Sequence, residues 1–223
     1  MSRLRQSLRH KSGGKGKTDR QSQASGFCEA IELYSGIYQG DEARIQATLT
    51  ELGRAIHPCQ CLLFSDRQYQ NREALNEKAI VDHDWIPQPF DETQTLDWTP
   101  VWSMTEQRHK YLPTAFCYYN YKLPKTHRFC SADSNGNAAG GTLEDAILQG
   151  FLELVERDSV ALWWYNRLSR PGVDLASFND PYLLDLQTWY HSQQRELWVL
   201  DLTTDLKIPA FVVHILKFGR YAN

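Results

Sequence analysis

The clearest hydrophobic pattern in the chain lies between Ser134 and Trp164, where a glycine-rich loop leads into a helical repeat of apolar positions. With successive residues about 100° apart, the apolar residues fall on one arc and predict a long amphipathic helix. Thr142 is the expected N-cap, and Asp145, three residues later, would complete a capping box. The arc consists of Leu143, Ile147, Phe151, Leu154, Val155 and Leu162.

The opposite side of this predicted helix is acidic. Four residues share it within about 80° on the same projection: Asp145, Gln149, Glu153 and Glu156. Like charges at these spacings repel one another unless a cation lies between them, so this side is a candidate cation site. The alternative is an ordinary solvated face, which Arg157 supports because it can pair with Glu153 at the i,i+4 spacing.

A second amphipathic helix is predicted from about Asp19 to Ser35, with Gly36 as its C-cap. Its polar side carries Ser25, Glu29 and Glu32 within about 60°. The Glu-x-x-Glu spacing therefore occurs on both predicted helices. Such pairs are common on solvated faces. Both pairs here lie beside glycine-rich or small polar segments, however, and neither is interleaved with several lysines, which favours a functional role.

Elsewhere the pattern mixes helices with strands and predicts an α+β chain. Asp180 and Pro181 supply good cap chemistry for one of the helices. The expected elements are a helix over residues 41–52, a short strand over 62–64, a strand pair over 98–104 and 112–119, a helix from 181 to about 194, and two strands over 197–202 and 208–215.

Composition narrows the class of protein. Hydrophobic residues make up 42% of the chain and charged residues 23%, with a net charge of -3, as in ordinary globular proteins. We therefore expect no nucleic-acid partner, and no apolar run is long enough to predict a membrane span or a signal peptide. Five scattered cysteines indicate a reducing, cytoplasmic setting, and the spacing of the seven histidines argues against a zinc site.

The first 17 residues are basic and rich in glycine, and we expect them to form a flexible start. GGKGKT at residues 13–18 invites comparison with a phosphate-binding P-loop. Lys11 stands where that motif needs its first glycine, and no buried strand is predicted upstream, so a true P-loop is rejected. A glycine-rich turn that offers backbone N–H groups to an anion stays open.

Two segments together resemble the YcaO family: GKGKTDRQSQASGFCEAIELYSG at residues 14–36 and SNGNAAGGTLEDAILQGFLELVERD at 134–158. The likeness covers most of the chain and is closest to cyclodehydratases of ribosomally made peptides, including those of cyanobactin-type pathways. It implies an α+β, YcaO-type domain whose mixed, mostly antiparallel sheet packs with helices that carry Glu-x-x-Glu pairs. On this interpretation residues 18–223 are the N-terminal and central portion of one domain, incomplete at its C terminus.

The resemblance also implies ATP and magnesium as cofactors and assigns residues to them. Glu29, Glu32, Glu153 and Glu156 match the magnesium-binding glutamates of the family. Ser25 and Arg157 match positions at the phosphates, and no catalytic residue is assigned. The other nucleotide-site positions are Ala138, Gly141, Asp145 and Gln149. Three positions depart from the family pattern: Leu33 replaces an arginine, Gly141 an asparagine and Asp145 a glutamate.

The function that the resemblance implies is cyclodehydration of a precursor peptide. A Cys, Ser or Thr side chain attacks the preceding amide carbonyl, ATP phosphorylates the resulting oxygen, and loss of phosphate leaves a thiazoline or oxazoline. Thioamide formation, a helper role in ribosomal-protein methylthiolation and a non-catalytic binding module stay open as alternatives, as does the activity of the isolated chain. The expected partners are the precursor peptide and a leader-peptide-binding protein or domain, and a homo-oligomer is also considered.

Overall fold

The computed structural model describes residues 12–79, 85–124 and 127–217. The chain divides into two compact units, with the boundary between Ser134 and Asn135. Of the predicted flexible start, residues 1–11 lie outside the described residues, as do residues 218–223 at the other end. The assignment of residues 18–223 to a single domain stays a prediction.

The first unit opens with helix α1 (Asp19–Ser35), which confirms the predicted helix. Thr18 is its N-cap, and the Thr18 side chain accepts a hydrogen bond from the backbone N–H of Gln21. Gly36 is the C-cap, as expected. The apolar side of α1 is largely exposed, however, because none of its residues is buried and the exposed fraction of Phe27 is 71%.

A three-stranded antiparallel sheet follows, in the order β1-β2-β3. Trp98 opposes Pro113 at one end of the β2–β3 ladder, and Ser103 opposes Arg108 at the other. The unit also contains short helices, and Ala115, Phe129 and Cys130 form a buried cluster in it. The strands are β1 (Ile45–Ala47), β2 (Leu96–Ser103) and β3 (Arg108–Pro113), and the helices are α2 (Cys59–Leu62), α3 (Asp66–Gln70), α4 (Arg72–Asn76) and α5 (Thr114–Cys117).

Three local predictions are wrong in this unit. Residues 41–52 contain β1 instead of a helix, because pairing with β2 decides the conformation of a short apolar run that periodicity leaves ambiguous. Residues 62–64 contain the end of α2 and a left-handed Leu63 instead of a strand. The predicted strand over 112–119 begins at Arg108 and ends at Pro113, and α5 occupies the residues that follow.

The second unit contains α6 (Leu143–Asn166), a 3-10 turn (Leu175–Phe178), α7 (Pro181–Ser192) and the antiparallel strands β4 (Arg195–Asp201) and β5 (Phe211–Lys217). Both predicted helices and the predicted strand pair are therefore confirmed. The rings of Trp163 and His214, 5.7 Å apart between centroids, bring α6 against β5. The chain is thus α+β with antiparallel sheets, as predicted. None of the helices in the described ranges is long and apolar enough to cross a membrane.

The predicted apolar arc of α6 is only partly buried. Val155 is 4% exposed, and Gly150 and Ser159 are buried beside it. The other members of the arc lie on the surface of the unit, including Leu143 and Phe151. The periodicity therefore identified the helix correctly, while the buried part of its surface is narrower than the arc.

Candidate functional site

The first Glu-x-x-Glu pair lies on α1. Glu29 and Glu32 are one turn apart, and both residues are half-buried. The backbone N–H of Gly13 donates a hydrogen bond to Oε2 of Glu29 at 2.6 Å. Ser25, one turn before Glu29, is exposed on the same helix. The structure thus places the glycine-rich segment against the helix that carries the pair, a contact that the sequence interpretation missed.

Close packing explains how this segment reaches the carboxylate. A Cβ added to Gly14 would overlap the backbone oxygen of Ser22, so the segment runs against the helix backbone where only glycine fits. The backbone N–H of Lys17 donates to Oε1 of Gln21 at 2.9 Å. Residues 13–17, called here the first loop, are therefore held along α1 from Gln21 to Glu29.

The second Glu-x-x-Glu pair lies on α6, and one of its two glutamates forms an ion pair. Glu153 is half-buried, whereas Glu156 is exposed. An Arg157 guanidinium nitrogen lies 2.9 Å from Oε1 of Glu153, so the i,i+4 ion pair of the alternative interpretation is present. The other terminal nitrogen donates to Oδ1 of Asn135 at 3.4 Å. Because the Arg157 side chain is 53% exposed, this ion pair contributes at most about 1 kcal/mol to stability.

The remaining nucleotide-site candidates lie near the start of α6. The backbone N–H of Asp145 donates to the Thr142 hydroxyl at 3.1 Å, which is the Thr142 half of the expected capping box. Gln149 follows one turn later, and both residues are exposed. Oδ2 of Asp145 would lie 3.5 Å from a Cβ on Gly141. The two residues, which both differ from the family pattern, are therefore neighbours.

The donor chemistry of each pair can be tested against magnesium. Within residues 12–79, 85–124 and 127–217, no three His, Cys, Asp or Glu side chains come together as a metal-binding group. Magnesium does not need such a cage, because it is usually held by one or two carboxylates together with water and substrate phosphates. Two carboxylates one turn apart on each helix therefore fit a magnesium–nucleotide complex, with both half-buried on α1 and only Glu153 half-buried on α6.

Comparison with known proteins gives this arrangement a context. Residues 13–221 match the model of the YcaO cyclodehydratase family, described as ATP- and Mg2+-binding. The chain is similar to a solved heterocyclase in complex with substrate and cofactor, with 69% identity and a TM-score of 0.90 over 97% of this chain and 29% of that chain. It is similar to the heterocyclase TruD, with 71% identity and a TM-score of 0.80 over 87% of this chain and 28% of that chain.

A more distant likeness concerns the fold alone. YcaO from Methanopyrus kandleri, solved with AMPPCP and Mg2+, is 20% identical, with a TM-score of 0.56 over 84% of this chain and 40% of that chain. The chain spans less than a third of the length of the two heterocyclases that it matches at high identity.

Proposed function

Because this chain belongs to the YcaO family, we propose that it takes part in the ATP- and magnesium-dependent cyclodehydration of Cys, Ser or Thr in a precursor peptide. The single observation that carries this proposal is the 69% identity to a heterocyclase solved with substrate and cofactor. At that identity, and with 97% of the chain aligned, the same chemistry is the simplest expectation. Thiazoline or oxazoline rings would be the products.

The residues have separate tasks in this proposal. Glu29 and Glu32 on α1, and Glu153 and Glu156 on α6, would hold magnesium through carboxylate oxygens. Ser25, Asp145, Gln149 and Arg157 would bind and orient the nucleotide. When bound, ATP with magnesium supplies the activation that turns the amide oxygen into a leaving group. The contribution of the protein is then mostly positioning and charge stabilisation, as in phosphoryl transfer generally.

Arg157 supports the proposal through its surroundings. Its guanidinium lies between Glu153 and Asn135, so a cation is already held beside one candidate magnesium ligand. Guanidinium groups bind phosphate oxygens through paired hydrogen bonds, and this one is exposed enough to turn toward them. The ion pair and the phosphate role are therefore compatible.

The partners follow from the same chemistry. We expect the precursor peptide as substrate, since the heterocyclase of 69% identity is solved with substrate. A protein or domain that binds the leader of this peptide is a further expected partner. A chain of the microcin synthetase McbBCD complex, solved with pro-MccB17 bound, shares the fold at 16% identity and a TM-score of 0.58. Self-association is a further proposal. We place the reaction in the cytoplasm, where ATP is available and where thiols such as the exposed Cys28 and Cys61 stay reduced.

Mass spectrometry of a Cys-containing precursor peptide tests the proposed function. With the chain, ATP and magnesium, we expect the loss of one water per ring, and no loss when AMPPCP replaces ATP. Exchange of sulfur for oxygen would instead indicate thioamide formation. Binding of nucleotide without any change in peptide mass would indicate a binding module, and the proposed activity of this chain would then be wrong.

Arg157→Leu separates the structural role of Arg157 from its proposed role at the phosphates. We expect the free energy of unfolding to change by less than about 1 kcal/mol, because the Arg157 side chain of the ion pair is exposed. We expect the affinity for AMPPCP with magnesium to fall about 10- to 100-fold, since hydrogen bonds to charged groups contribute about 1.5–3 kcal/mol. Denaturant unfolding and isothermal titration calorimetry measure the two quantities.

Arg108→Leu is the matched control for this variant. Arg108 is also 53% exposed and also pairs with a nearby glutamate, Glu106, but it lies on β3. Its loss should leave nucleotide affinity unchanged. An equal affinity loss in both variants, or none in either, would remove Arg157 from the phosphate site.

A further inference from the structure

The two Glu-x-x-Glu helices share a longer pattern than the glutamates. Residues 26–32 read GFCEAIE and residues 150–156 read GFLELVE, so each has glycine, phenylalanine and both glutamates at the same spacing. The glycine stands three residues before the first glutamate in both helices. Because i and i+3 residues lie on one face of a helix, each glycine is directly beside its glutamate.

Glycine is an unfavourable residue in the middle of a helix. It costs about 1 kcal/mol relative to alanine at such a position. Gly26 lies in the interior of α1 and Gly150 in the interior of α6. A specific local contact at each position would explain why a small residue is needed there.

The structure contains such a contact on α6. A Cβ added to Gly150 would lie 2.5 Å from the backbone oxygen of Gly136, which is closer than real Cβ contacts permit, and 3.7 Å from the Cβ of Ala138. Gly150 is buried under these residues. Residues 135–138, called here the second loop, therefore cross the helix at Gly150, and Asn135 at the start of this loop contacts Arg157.

The same arrangement occurs independently on α1. A Cβ added to Gly26 would lie 3.3 Å from the backbone nitrogen of Gly14, so the first loop crosses the helix at Gly26. The adjoining residue of that loop, Gly13, donates its N–H to Glu29. In each unit, then, a loop backbone rests on the helix glycine and a loop group reaches the glutamate pair, directly at Glu29 and through Arg157 at Glu153.

We propose that Gly26 and Gly150 are positioning residues. The absence of a side chain at each position lets a loop backbone pack directly on the helix beside the Glu-x-x-Glu pair. Groups of that loop then fix the orientation of Glu29 on α1 and of the Arg157–Glu153 pair on α6. This inference rests on the proposed function for its ligand, magnesium with nucleotide. The packing of each loop on its helix glycine, by contrast, depends only on that helix and that loop and not on the ligand. A side chain at position 150 or 26 would lift the loop, and the carboxylate would lose its orienting partner.

Gly150→Ala gives the stronger test, because its contact is shorter. Hydrogen exchange without any ligand should become faster in the second loop, while the helix keeps or gains stability through alanine's higher helix propensity. The affinity for magnesium with AMPPCP should fall about 10- to 100-fold, as it does when groups that orient metal ligands are lost. Gly26→Ala, with its longer 3.3 Å contact, should show the same changes in the first loop at smaller size.

Leu148→Ala is the control on the same helix. Leu148 is 53% exposed, and the atoms nearest to a Cβ on Gly150 belong to Gly136 and Ala138 and not to Leu148. It should alter neither loop exchange nor affinity. Unchanged hydrogen exchange of the second loop in Gly150→Ala would overturn the proposed packing of this loop on Gly150. Faster exchange with unchanged affinity for magnesium and AMPPCP would overturn the positioning role of the glycine. If the unmodified chain bound no nucleotide, the proposed function would fail. Hydrogen exchange of the second loop would still decide whether that loop packs on Gly150.

Discussion

Glu29→Gln and Glu153→Gln are each expected to lower ATP-dependent dehydration of the precursor peptide by about 100-fold or more. Glutamine keeps the size of the side chain and removes its negative charge, and magnesium prefers charged carboxylate oxygens. A bound metal contributes several kcal/mol of charge stabilisation in such reactions, so the loss of one ligand is costly. Rates of water loss, followed by mass spectrometry at saturating peptide, measure the effect.

The fold should survive both substitutions. In Glu29→Gln the new amide oxygen would still accept the N–H of Gly13, and the pair between Glu153 and Arg157 is weak because the Arg157 side chain is 53% exposed. Glu73→Gln on α4 is the control, since its side chain is 91% exposed and lies outside both pairs. Full activity of Glu29→Gln and Glu153→Gln would show that these carboxylates do not bind the metal.

Local geometry made the placement of the candidate residues on helices predictable from sequence. Helical periodicity located α1 and α6, and the expected caps Thr142 and Asp180 are present because their side-chain oxygens accept backbone N–H groups. Once the helices were known, the glutamate pairs necessarily lay one turn apart on each. Positions that depend on a helix repeat were therefore accessible without a structure.

Contacts between distant residues were not predictable in the same way. The bond from Gly13 to Glu29 joins residues 16 apart, and it depends on how a loop packs. β1 was missed because its three residues become a strand only by pairing with β2, around Ile45 opposite Trp98. Glycines inside helices, at positions 26 and 150, are a sequence signal of close packing. Only the structure shows that the backbones of Gly14 and Gly136 pack against them.

The side chain of Trp98 is expected to contribute more to the stability of the first unit than any of its surface aromatics. Its exposed fraction is 0%, its ring centroid lies 6.3 Å from that of Phe90, and its indole N–H donates to the backbone oxygen of Ala47 at 2.9 Å. Trp98→Ala would therefore open a large cavity and leave the β1 carbonyl without this donor. We expect a loss of about 3–5 kcal/mol in the free energy of unfolding, measured by urea denaturation with far-UV circular dichroism.

Trp102→Ala provides the comparison, because Trp102 lies on the same strand with an exposed fraction of 56%. Its ring contacts His109 at 5.1 Å between centroids, an edge contact that contributes about 1 kcal/mol. The two variants remove the same atoms from the same strand, so the difference between them reports the burial of Trp98 together with its indole hydrogen bond. A loss for Trp98→Ala no greater than that for Trp102→Ala would mean that the Trp98 side chain is not packed into the core of the first unit. A large difference would show that the contacts of Trp98 with Phe90 and with the Ala47 carbonyl stabilise the first unit.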